Sequence, residues 1–163
     1  MKFNSRAATA LLMAGLLLPF WARSAQDGNA HQITAVMKKQ FDRPDAPLTV
    51  NPVTVEGDYA VAGWTQGKKG GRALLQKENG QWRISVCGGD GLTQAKVLET
   101  TGMHPPMAQK LAAATLVAES SLSAGKRRMF ASFEGMVKID ANQADHGQHN
   151  AHGAPGAHAA PAK

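Results

Sequence analysis

The sequence predicts an α+β fold: an N-terminal helix packed on a curved four-stranded antiparallel meander, followed by two or three helices and a disordered tail. Three observations predict it. Apolar residues recur with helical spacing before Pro44 and again after Leu92. Between them lie short β-rich runs broken by tight turn signals, the pattern of hairpin-connected strands. The order helix, strands, helices places the elements in segregated blocks.

The elements follow in order. In "HQITAVMKKQF", Ile33, Val36, Met37 and Phe41 fall on one stripe, with Lys38 and Lys39 outside it. "AQDGNAH" before it reads as a polar leader, and His31 as a polar helix-start residue. Pro44 ends the helix by disfavouring helical backbone at Arg43. "LTVNPVTVEG" puts Val53 and Val55 on one face, and Pro52 marks an edge strand or a strand start. "DYAVAGWTQ" is the second strand, "GKKGG" a loop, "RALLQK" the third strand and "ENG" a hairpin turn. "QWRISVCGG" is the fourth strand, with Trp82, Ile84 and Val86 on one face and Arg83, Ser85 and Cys87 on the other. Trp64, Trp82 and Tyr59 are expected together in the core against the first helix. Arg72 is expected at a strand start, guarding an edge, and Asp90 in the Gly-rich turn.

"LTQAKVLETTG" reads as a short helix capped by Gly102, and Pro105 or Pro106 starts the next one. Its apolar face is expected through Met107, Leu111, Ala114, Ala118 and Leu122. "AGKRRMFASFEGMVKID" suits a helix at Met129, Phe130 and Phe133, while "MVKI" suits a closing strand.

The first residues have the pattern of an export signal. Lys2 and Arg6 precede a short apolar run, Ala7 to Phe20, and Ala22 and Ser24 offer a cleavage site. The expected organisation is a signal peptide over 1–24, one α+β domain over 25–140 and a disordered His-rich tail over 141–163. The apolar run is shorter than the roughly 20 residues a spanning helix needs, so no membrane insertion is expected after cleavage. Cleavage leaves 139 of 163 residues and removes Lys2, Arg6 and Arg23 but no acid, so the formal charge of +6 falls to +3. The short basic runs "GKKGGR" and "GKRRM" lack interleaved aromatics, so no nucleic-acid partner is expected. With no cysteine in the leader for lipid attachment, the expected location is the periplasm.

Candidate chemistry is metal contact. The tail carries His146, His149, His152 and His158, and Ala, Gly, Pro and His make up 17 of its 23 residues. Neutral imidazole binds copper, zinc and nickel, and a pliant backbone lets several rings reach one ion. "MHPPM" is a second place, where Met103, His104 and Met107 offer soft donors. Met107 also lies on an apolar stripe, and core filling is the stronger reading for it. Cys87 is the third: a Cu(I) ligand beside His104 or a methionine if exposed, inert if covered. No Ser-based, zinc-protease or phosphate-loop motif is present, and no enzyme is expected.

The strings "RPDAPL", "GDYAVAGW", "GGRALL" and "CGGDGL", with "FASFEGMVKI" and the His-rich end, resemble the bacterial copper uptake system-associated family. These are small exported proteins, often with a histidine-rich terminus, and the resemblance runs from about Ile33 to His158. It implies copper handling in the periplasm, with the tail histidines as ligands and a copper transporter or other envelope protein as partner. The residues themselves do not choose among copper, zinc and nickel. A different class also suits them: a small-ligand or peptide binding module with a pocket between sheet and helices. In that case the tail is a solubilising or zinc-buffering appendage.

Overall fold

The computed structural model describes residues 21–139, with side chains from Gln26 onward. The chain runs α1 (Trp21–Phe41), β1 (Leu48–Glu56), β2 (Tyr59–Gln66), β3 (Lys69–Glu78) and β4 (Gln81–Gly88). A 3₁₀ turn (Asp90–Thr93), α2 (Ala95–Glu99), α3 (Pro105–Ser120), α4 (Ala124–Ala131) and β5 (Met136–Lys138) complete it. The five strands form one antiparallel sheet in sequence order, so the α+β meander is the observed architecture.

α1 begins well before the expected start. The polar stretch "AQDGNAH" is helical, although Asp, Gly and Asn are poor helix formers. A tertiary contact holds it: Asn29 Oδ1 accepts from Trp82 Nε1 and from Lys77 Nζ, each at 3.2 Å. Further along, Ile33 and Met37 are fully buried, while Val36 and Phe41 pack beside them. His31 is therefore an exposed mid-helix residue rather than a helix start.

Three two-residue turns set the sheet register. They are closed by the pairs Glu56↔Tyr59, Gln66↔Lys69 and Glu78↔Gln81. Asn79 and Gly80 both take positive φ (50° and 78°), the backbone of a type I′ turn that matches strand twist. The expected loop "GKKGG" shrinks to Gly67–Lys68, because Gly70 and Gly71 are paired inside β3. A β-carbon at Gly70 would meet the Met129 carbonyl at 2.9 Å, so this part of β3 is narrow enough for α4 to lie on it. Pro52 sits in the edge strand β1, within a register shift between Val50 and Val53.

Both faces of the sheet are covered. On one face Ile33 and Met37 of α1 join Ala60, Ala62, Ala73, Leu75, Trp82 and Ile84 in one core. On the other, Val61, Leu74 and Val86 meet Leu92, Leu98, Met103 and the α3 residues Ala108, Leu111 and Ala112. The interior strands β2 and β3 accordingly carry near-continuous buried runs.

A bulge in β4 corrects the expected face assignment. Leu74 pairs with Val86 but Leu75 pairs with Ile84, leaving Ser85 as the extra residue. One extra residue reverses the alternation beyond it. Trp82, Ile84 and Cys87 therefore share the α1 face, and Val86 points to α3. The aromatic trio is not one cluster either. Tyr59 packs on the α3 face, while Trp64 and Trp82 pack on the α1 face. Trp64 pairs with Gly71 and Trp82 with Lys77, six strand positions apart, or ~20 Å along the sheet.

α3 starts at Pro105 as expected, but its buried stripe is rotated: Ala108, Leu111, Ala112, Thr115 and Glu119. Met107, Ala114, Ala118 and Leu122 are only half-buried. Apolarity misplaces the stripe because two of its members are polar. Thr115 returns its hydroxyl to Leu111 O at 2.8 Å, and Glu119 has an ionic partner. In the ambiguous C-terminal run, helix α4 ends before Ser132 and a glycine with φ of 73° (Gly135) precedes the short β5.

Candidate functional site

The structure separates the candidate donors. Met103 is 3% exposed, with its thioether packed in the α3-side core. His104 is exposed in extended backbone just before α3, and its side chain makes no capping bond. Met107 is half-buried in the first turn of α3, with its methyl close to Gly57. "MHPPM" thus presents His104 as its exposed donor, with Met107 half-buried beside it and Met103 in the core. A soft cation there would have to draw Met103 out of the core.

Cys87 lies across the sheet from these residues, on the α1 face. It cannot share an ion with His104 or Met103 while the sheet stands between them. Its thiol is buried, and desolvation pushes its pKa up to about 11. Among the described residues no cation stands beside it to favour the thiolate, so it behaves as a small hydrophobe. It lines an apolar cavity of about 210 Å³ together with Phe41, Trp64, Gln66, Phe133 and Val137. Among the described residues, no three His, Cys, Asp or Glu side chains are grouped to hold a metal. His146, His149, His152 and His158 lie outside the described residues.

The most structured polar group is one the sequence disguised. Arg72 is not at an edge: it sits on the central strand β3, paired with Gly63 and Gly88, and is 3% exposed. Its Nε and Nη2 donate to Glu119 Oε1 and Oε2, each at 2.7 Å, the bidentate geometry of the strongest charge-assisted pairs. Nη1 donates to Asp90 Oδ1 at 3.1 Å. Burial alone would lower the Arg72 pKa, but the Glu119 bonds and charge, with Asp90 added, hold it raised. The guanidinium carbon stands 5.4 Å from the Phe130 ring centroid. This triad joins β3, the 3₁₀ turn and α3, and the anion that "GGRALL" meets is therefore in its own chain.

The glycines of these strings have a matching role. A β-carbon at Gly63 would lie 2.6 Å from the Phe130 ring, and one at Gly89 would strike the Phe133 carbonyl oxygen. Both keep room for α4 and the segment after it. A glycine opposite an arginine on adjacent strands was the only hint in the sequence.

Comparison with protein-family models, with curated proteins and with solved structures found no match for the chain. Among the described residues, no helix is long and apolar enough to cross a membrane.

Proposed function

We propose that the protein is an exported, periplasmic copper-binding accessory protein. In this reading the folded domain docks to a copper transporter or another envelope protein. His146, His149, His152 and His158 gather copper and pass it on by ligand exchange. The observation that carries the reading is the tail composition: four imidazoles within 23 residues that contain no large apolar side chain. Such a segment has no means of building a core, yet each ring keeps a donor for borderline and soft metals. The choice of copper over zinc or nickel rests on the resemblance to the copper uptake system-associated family. Folding around the ion costs ordering entropy, which favours exchangeable capture over permanent retention.

The domain supports a tail-centred reading only by offering few competing donors. Met103 and Cys87 are committed to opposite cores, and His104 is the accessible donor of "MHPPM". The test replaces all four tail histidines with alanine in the full chain and compares Cu(II) uptake by equilibrium dialysis. Uptake should fall to that of the two remaining exposed histidines, His31 and His104. Equal uptake by both chains would refute the reading. Alanine at His104 alone should leave most of the uptake in place.

A further inference from the structure

We infer that the cavity beside Cys87 is a binding site for a small uncharged aromatic molecule. The inference stands apart from the copper reading and uses none of the tail residues. The cavity measures about 210 Å³, and Phe41, Trp64, Gln66, Cys87, Phe133 and Val137 contribute to its wall. None of these carries a charge, and the raised thiol pKa keeps Cys87 neutral as well. A desolvated ion would find no counter-charge there.

Three rings from three parts of the chain supply flat apolar surface: Phe41 ends α1, Trp64 lies on β2 and Phe133 follows α4. Trp64 and Phe133 already stand edge to face, with centroids 6.0 Å apart and planes at 83°, so part of the wall is preset. Dry apolar cavities of about 150 Å³ accept benzene. This one has room for a ring bearing a substituent or for a fused pair.

One polar group orients the guest. Gln66 Nε2 donates to Phe41 O and to Ala46 O, each at 2.8 Å. Those bonds use both amide hydrogens and fix the carboxamide. Its oxygen is left as the acceptor for a single N–H or O–H on the ligand. On β5, Val137, the cross-strand partner of Cys87 and part of the cavity wall, is 49% exposed. An apolar side chain left half in water in the wall of an apolar cavity suits entry from that side.

Because Cys87 is the only cysteine, its methylthiolation, a mixed disulfide formed with loss of methanesulfinate, reports on this cavity alone. Full-length protein is treated with methyl methanethiosulfonate with and without indole, and modification is followed by mass spectrometry. Indole at about ten times its Kd should slow the reaction by about tenfold and raise the Tm in parallel. Indole-3-carboxylate, the same ring with a charge, should do neither. Val137→Phe, which adds bulk to that wall, should abolish both effects of indole. Absence of saturable protection and of any Tm shift with indole would overturn the inference. So would equal effects from the carboxylate, or effects undiminished in the Val137→Phe chain.

Discussion

Replacing Glu119 with alanine strands a buried guanidinium. Arg72 and Glu119 are each 3% exposed, and the mutation removes two charge-assisted bonds of 2.7 Å. Breaking a buried ion pair from one side costs roughly 3–5 kcal/mol, mostly the penalty of the charge left behind. Here Arg72 keeps Asp90 at 3.1 Å and the Phe130 ring at 5.4 Å. Asp90 is 64% exposed in its side chain, so its attraction is screened, but together with the ring it leaves the guanidinium partly compensated. The expected loss is therefore near the lower bound, about 3 kcal/mol, which for a domain of this size lowers Tm by about 10 °C. Urea unfolding followed by tryptophan fluorescence measures it. Asp90→Ala should cost about 1 kcal/mol or less. The double change Arg72→Met with Glu119→Leu should cost less than Glu119→Ala alone, because no charge remains to be solvated. A loss below about 1 kcal/mol for Glu119→Ala would refute the reasoning. A loss for Asp90→Ala as large as that for Glu119→Ala would do the same.

Three further outcomes are expected. The Cys87 thiol has its pKa raised from 9.0 to about 11, so the folded state holds this proton more tightly than the unfolded chain. Its contribution is complete below about pH 9 and declines by ~3 kcal/mol as pH rises through about 11; the stability difference between the unsubstituted chain and Cys87→Ala should follow that curve. Gly63→Ala drives a β-carbon to 2.6 Å from the fully buried Phe130 ring, which the Arg72 guanidinium flanks. It should destabilise by ~1–3 kcal/mol in the same urea assay, and a neutral result would show that the ring can shift. Thr54 is 5% exposed, and its hydroxyl has no hydrogen-bond partner among the described residues. Thr54→Val should stabilise by about 1 kcal/mol, and a lower urea midpoint would point to an unrecognised partner for the hydroxyl.

Local signals placed most elements where they occur. The Ile33, Val36, Met37, Phe41 stripe, the Pro44 stop, the turns at Gly57 and Asn79–Gly80 and the Pro105 start all depend on neighbours in sequence. Backbone sterics and periodicity act over a few residues, so a string of letters contains them. The α1 start was not legible, because Asn29 is held by Lys77 and Trp82, some fifty positions away. The rotated face of α3 was hidden for the same reason, since Glu119 is buried only by virtue of Arg72.

The sequence by itself determined a helix, a meander of antiparallel strands, a helical C-terminal half and a histidine-rich end. Tertiary structure alone decided which faces these elements bury. The bulge at Ser85 turned Cys87 toward α1 and away from Met103, dividing two candidate soft donors between opposite cores. Pairing on both sides of β3 and the approach of Glu119 likewise converted Arg72 from a presumed edge charge into the centre of a buried triad. The physical reason is common to both. Period and turn chemistry are local, but the face a residue occupies depends on every register shift before it, and the cost of burying a charge depends on a partner that the chain brings from far away.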